Sequence, residues 1–247
     1  MLASFDTHIF WEALTSSPYW HGAILALELT LVSLATACVI GFFLALGRSS
    51  RFRWVRSFVF FYNWIFRATP TLLQLLFIWN GLPQIWSTFA SDWFKPFLAA
   101  FIALSLNEAA YMSEIARAGL LSVDAGQEQA GRALGMTRRQ ILRKVVVPQA
   151  VRIAIPPTGN EFITLLKLTS LASVISVSEL LTAAQNRGSV DFNYPEDLGS
   201  AAVYYLAIVS VLMLLQSRLE RRFTFSSARR RRRVAAPAVP AISHDAR

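Results

Sequence analysis

The sequence predicts an all-α polytopic membrane protein of about five transmembrane helices, with its N-terminus outside and its C-terminus inside. Three observations predict it. Apolar residues make up 54% of the 247 and charged residues only 16%, whereas a soluble domain carries about 25% charged residues to cover its surface. Residues 22–46, 58–82, 97–116, 148–184 and 199–216 are apolar, and each is long enough to cross a core of roughly 30 Å, which takes about 20 helical residues. The third observation is the placement of the formal charge of +9.

Five crossings put alternate connections on opposite sides. The segments before residue 22, between 82 and 97 and between 186 and 199 hold two basic and six acidic residues, a net of −4. The other connections and the C-terminal tail hold nineteen basic and four acidic residues, a net of +15. Cytoplasmic loops carry the excess of Lys and Arg, so the basic side is the cytoplasm. The eight charges left, in or near the spans, sum to −2. Nucleic-acid binding, the other use of a basic chain, finds no aromatic interleaving or binding fold to support it. Cys38 stands alone and His8, His21 and His244 are scattered, so a disulfide, a thiolate cluster and a metal site are not expected.

In chain order, residues 1–21 form an external segment. They lack a basic stretch and carry Asp6 and Glu12, unlike a cleaved leader. The fourth apolar stretch is too long for one crossing: residues 149–186, 38 in number, would reach about 57 Å as one helix. It is expected to break at Pro156-Pro157 and again at Lys167-Leu168-Thr169-Ser170, and irregular backbone at membrane depth must face protein or a water-filled cavity. Residues 218–247 read as a basic cytoplasmic tail, disordered from Ser226 onward, whose run Arg229 to Arg233 anchors the topology against anionic lipid.

The loop over residues 119–148 is far longer than a turn and predicts two short helices. Asp124 caps the first, Gly135 ends it through a left-handed conformation, and Thr137-Arg138-Arg139-Gln140 matches the Thr-x-x-Gln capping box of the second. Pro148 suits the first turn of the returning helix. Ala130, Gly131 and Ala133 are small enough for another backbone to approach, and Arg138, Arg139, Arg143 and Lys144 make the second helix basic. Physical chemistry alone leaves contact with anionic lipid and docking of a partner equally open.

These residues carry a resemblance. Gly126-Gln127-x-x-Ala130-x-x-Ala133-Leu134-Gly135, continuing through Val145-x-Val147-Pro148-Gln149-Ala150, resembles the EAA loop of ABC-importer permeases, and in particular the polar amino-acid permeases of the histidine, glutamine, arginine and opine type. Arg67-Ala68-Thr69-Pro70 with Gln74, Ala110-Tyr111-x-x-Glu114-x-x-Arg117 and Gly159-Asn160-Glu161-Phe162 with Lys167-x-Thr169-Ser170-Leu171 extend the likeness over residues 22–215. The chain departs where the family usually has Glu-Ala-Ala. It reads Gln129-Ala130-Gly131, with Glu128 one position early.

The resemblance implies a permease domain over residues 22–217 in the bacterial inner membrane, working by alternating access. It implies ATPase subunits docked on Gly126, Gln129, Ala130, Gly131, Ala133, Leu134, Gly135, Arg138, Arg139 and Pro148, a second permease subunit, an external solute-binding protein and a polar amino-acid substrate. ATP and magnesium would be used by the partner. The nearest string to a P-loop here, Gly126-x4-Gly131-Arg132-Ala133, lacks both the lysine and the hydroxyl. The chain is therefore not expected to be an enzyme or to bind a cofactor.

Ionisable groups in a bilayer cost about 2.5 to 3.5 kcal/mol each on insertion scales and are retained for function. Arg67, Glu108 and Glu161 lie near the midplane by residue count, and Thr69-Pro70 weakens the helix after Arg67. Half-unwound helices supply donors to a carboxylate and acceptors to an ammonium. The pathway candidates are Arg67, Thr69, Pro70, Gln74, Glu108, Asn160, Glu161, Lys167, Thr169 and Ser170. The bland alternative pairs Arg67 with Glu108 or Glu161 to lock the bundle, and Glu114 with Arg117 as a local i,i+3 pair. A secondary transporter or channel using these charges without ATP is the alternative function.

Overall fold

The computed structural model describes residues 5–234, and every element among them is helical. A short helix α1 (Thr7–Thr15), capped by Asp6, leads into α2 (Ser17–Arg48). Next come α3 (Arg53–Ala68), α4 (Thr71–Leu76), a π turn over Phe77–Gly81 and α5 (Leu82–Ile85). After a 3₁₀ turn over Ser87–Ala90, α6 (Pro96–Leu121) leads to the loop helices α7 (Ala125–Ala133) and α8 (Arg138–Ile141). A π turn over Leu142–Val146 feeds α9 (Val147–Leu168), a 3₁₀ stretch over Thr169–Ile175 follows, and α10 (Leu180–Asp191) and α11 (Tyr194–Val234) complete the chain.

By length and apolarity, α2 and α11 are long enough to cross a membrane, and the bent unit Arg138–Ile175 plus Leu180–Val190, with its 45° break, makes up to three. The remaining predicted crossings are the interrupted run α3 to α5 and the 26-residue α6, which at 1.5 Å per residue extends about 39 Å.

The core is the contact of α2 with α6. Ala23, Ala26, Thr30, Ser33, Ala37, Gly41 and Ala45 recur every three or four residues along α2, and all are buried. Small side chains on one stripe let helices approach closely in the absence of a hydrophobic drive between them. A Cβ on Gly41 would lie 2.6 Å from that of Met112, and one on Gly22 would lie 2.8 Å from the backbone of Leu180. Both α6 and α10 therefore press directly on α2.

Two expectations are corrected. Pro156-Pro157 does not interrupt the chain, because α9 runs through both residues. Proline removes the donor to the carbonyl four residues earlier without ending a helix that is held by its neighbours, and beside the pair Gln216 Nε2 of α11 donates to the Pro156 carbonyl at 2.6 Å, fastening α9 to α11. Gly159 makes room for this contact, since a Cβ there would fall on the Gln216 amide. Gly159→Ala should then lose about 1–3 kcal/mol of stability, and a double-mutant cycle with Gln216→Ala should show strong coupling. Additive losses would refute the contact. The second expected break is present: α9 stops at Leu168, and the 3₁₀ stretch ends at Ser176 with φ +62°. The other correction concerns the tail, whose backbone remains helical to Val234 instead of turning irregular at Ser226. Alanine and arginine are among the best helix formers, which favours continuation. Residues 235–247 and 1–4 lie outside the described residues.

On the side predicted to be external, α1 lies against α11. Tyr204 donates to the Leu14 carbonyl at 2.8 Å, and Arg187 of α10 bridges Glu12 and Asp197 at 3.1 and 3.2 Å. Glu179 is the N-cap of α10. Its carboxylate accepts from the backbone N–H groups of Leu181 and Thr182, both at 2.8 Å, and from the Tyr205 hydroxyl at 3.0 Å.

Candidate functional site

The loop helices fold locally as their residues dictate. Asp124 accepts from Gly126 N at 2.7 Å, and Thr137 and Gln140 complete the reciprocal capping box. Gly135 has φ +73°. Its N–H reaches the Arg132 carbonyl at 2.9 Å and the Met136 N–H reaches that of Gly131 at 3.0 Å, the two bonds of a Schellman cap. Pro148 sits at the start of α9. Gln149 Nε2 also reaches Gln127 Oε1 at 3.4 Å, tying α7 to α9.

The docking candidates do not all share one face. Gly126, Gln129, Ala130, Ala133, Leu134, Gly135, Arg138 and Arg139 are exposed, with Leu134 81% exposed at the tip of the hairpin. Gly131 is buried, and a Cβ on it would lie 2.8 Å from Ile141 Cγ1. Its small size is used inside the hairpin, to seat the buried Ile141. Glu128, the displaced acidic residue, pairs with Arg132 one turn on at 2.6 Å.

The helix break after Arg67 is bridged by polar side chains. Gln74 Nε2 donates to the carbonyls of Phe66 and Thr69 and to Thr69 Oγ1 at 3.0, 3.1 and 2.8 Å. Asn107 of α6 donates to the Phe66 carbonyl at 3.1 Å and to Gln74 Oε1 at 2.9 Å. Pro70, with no N–H, starts α4 beside this knot. Asn107, which the sequence reading missed, thus joins Thr69, Pro70 and Gln74. Its only sequence signal is an amide three turns into an apolar helix.

Arg67 is exposed and lies over the Tyr111 ring at 5.6 Å. Arg48, Asn63, Trp64, Tyr111 and Glu114 line with it a groove of about 370 Å³. Neither Glu108 nor Glu161 is ion-paired with Arg67 among the described residues, so the predicted locking pair does not form. Glu108 is 1% exposed, its Oε1 has no hydrogen-bond partner among the described residues, and Glu161 is half-buried on α9. Glu114 does pair with Arg117, at 3.0 Å, and takes a further bond from Asn63.

On α9, Asn160, Thr164 and Lys167 are exposed at i, i+4 and i+7, a polar stripe on one face of a helix in the apolar bundle. Thr164 was not foreseen. Thr169 is buried and donates to the Leu166 carbonyl at 2.7 Å, and Ser170 donates to that of Lys167 at the same distance. These hydroxyls close the end of α9.

A polytopic helical chain with a capped hairpin between α6 and α9 can be compared with known proteins. The family model described as the binding-protein-dependent transport system inner membrane component matches residues 37–225. The chain belongs to that family. It is 40% identical over 217 residues to the arginine transport system permease protein ArgU of Corynebacterium glutamicum, covering 84% of this chain and 68% of the relative. It is 38% identical to the octopine transport system permease protein OccM of Rhizobium radiobacter, over 87% of this chain and 89% of that one. Among solved structures, an amino acid ABC transporter with histidines aligns at 35% identity and a TM-score of 0.77, over 90% of this chain and 100% of the other.

The protein is thus the permease subunit of an ABC importer, an inner-membrane component whose partners include ATPase subunits and a substrate-binding protein. ATP hydrolysis belongs to those ATPase subunits and the permease is not an enzyme. The ATP-free transporter or channel finds no support in these relationships.

Proposed function

We propose that this permease moves a polar amino acid or an opine across the bacterial inner membrane, through a pathway enclosed by two permease subunits, identical or homologous. The chain crosses five times, N-terminus outside, with α3 to α5 and α6 as the second and third crossings. Two ATPase subunits, using ATP and magnesium, dock on the exposed side of α7 and on Leu134 and Gly135. Their closure drives the change of access, while an external binding protein delivers substrate.

The observation that carries the coupling is the hairpin itself: a rigidly capped loop whose tip, Leu134, is left uncovered although an apolar side chain gains by burial. For the substrate, the names of the relatives support an amino acid or opine, and the open polar stripe Asn160, Thr164 and Lys167 supplies groups that bind one. Arg67, cationic and in no ion pair among the described residues, offers a site for a carboxylate.

Purified with its ATPase subunits and binding protein, the permease should show ATP hydrolysis stimulated by one class of polar amino acid or opine. Arg67→Gln should lower uptake at limiting substrate by about tenfold, the effect of losing one charge-assisted contact. Uptake equal to wild type would demote Arg67 to a packing residue, and no stimulation across the set would remove the substrate assignment.

A further inference from the structure

Apart from the polar groove and stripe, α2, α6, α9 and α11 enclose a cleft of about 640 Å³, bounded by Leu34, Phe42, Met112, Ile155, Phe162 and Leu219. Its hydroxyl, Thr158, is spent on the Ala154 carbonyl at 2.9 Å, so the walls offer little but apolar contact. Along α9 the cleft runs from Val151 to Phe162, about 16 Å at 1.5 Å per residue. That is half of the roughly 30 Å hydrocarbon core, the depth of one leaflet.

The cationic residues stand at one end of it. Arg152 is three residues before Ile155 and Arg222 three after Leu219, so each shares a helix face with a residue of the wall. Both are exposed. The Gln216–Pro156 bond holds these ends of α9 and α11 together. Helical side chains lean toward the N-terminus of their helix, which tips Arg222 back over the mouth and Arg152 outward to headgroup level. We propose that this cleft holds one acyl chain of an anionic phospholipid from the cytoplasmic leaflet, its phosphate held by Arg152 and Arg222. The leaflet assignment rests on the topology proposed above; the fit of an apolar slot with a cationic mouth does not. A second copy of the chain would be poorly matched to a slot with arginines at its rim.

The test uses the assembled permease complex in nanodiscs of equal phosphatidylcholine and phosphatidylglycerol, with retained lipid read by native mass spectrometry. Wild type should retain phosphatidylglycerol about tenfold over phosphatidylcholine, the order of one charge-assisted contact. In Arg152→Gln/Arg222→Gln, which changes exposed residues only, the ratio should approach one with lipid still bound. Ala154→Trp, which fills the slot, should lower retention of both lipids by about the same factor. Equal retention of the two lipids by wild type, or a preference unchanged in the double variant, would overturn the proposal. So would disulfide formation between Val39→Cys copies in a Cys38→Ser background, since it would put a second chain over the cleft. The readout needs neither substrate nor ATP, so failure of the transport reading leaves it intact, and the reverse also holds.

Discussion

Replacing Gly135 with valine should abolish substrate-stimulated ATP hydrolysis in the assembled complex while leaving the permease inserted. Gly135 has φ +73° and nothing within 4 Å of the place a Cβ would occupy, so the effect is one of backbone conformation and not of crowding. An L-residue in the left-handed region costs about 1–2 kcal/mol, and β-branching raises this further. Two cap hydrogen bonds, each worth about 0.5–1.5 kcal/mol, depend on that conformation. The sum is enough to shift the hairpin population by more than tenfold. Asparagine tolerates the left-handed region, so Gly135→Asn should stay near wild type and Gly135→Ala should fall between. Equal coupling across the series would separate the turn from energy transfer.

The largest loss of stability is expected at Glu179. It is fully buried and, besides the Thr182 hydroxyl at 3.2 Å, which also has the Val177 carbonyl, it holds three donors, the N–H groups of Leu181 and Thr182 and the Tyr205 hydroxyl. Glu179→Ala leaves all three without their acceptor, at about 1–3 kcal/mol each, against a total stability of about 5–15 kcal/mol for a folded domain. Loss of the cap should also loosen the seam where Gly22 meets Leu180. Glu179→Gln keeps one acceptor oxygen and should recover part of the loss. Thermal unfolding of the purified chain in detergent would check the order wild type, Gln, Ala. A melting point unchanged in Glu179→Ala would show that the cap carries no net stability.

What the sequence disclosed was local. Asp124, the Thr137-Gln140 box and Gly135 act within one or two turns of themselves, so a linear pattern is enough to read them. Contacts across the bundle were not legible. Asn107 and Gln74 are 33 positions apart, and Gln216 and Pro156 are 60 apart. A double proline reads as a break in the linear pattern, which does not show that α9 is fastened there to α11. Gly131 shows the converse: its small size suggested an open docking face, yet the space is filled by Ile141 from the same hairpin. For the site, the residues were named but their partners were not. Thr69 and Gln74 are spent on the broken helix, Thr169 and Ser170 on the end of α9, while Arg67, Asn160 and Lys167 remain open.

Coupling to the ATPase depends most directly on the position of Leu134. With Cys38 replaced by serine, Leu134→Cys should crosslink to the ATPase subunit in native membranes and resist a membrane-impermeant thiol reagent applied to intact cells. Labelling of that cysteine from outside the cell, with no crosslink to the ATPase, would contradict both the topology and the docking of the loop.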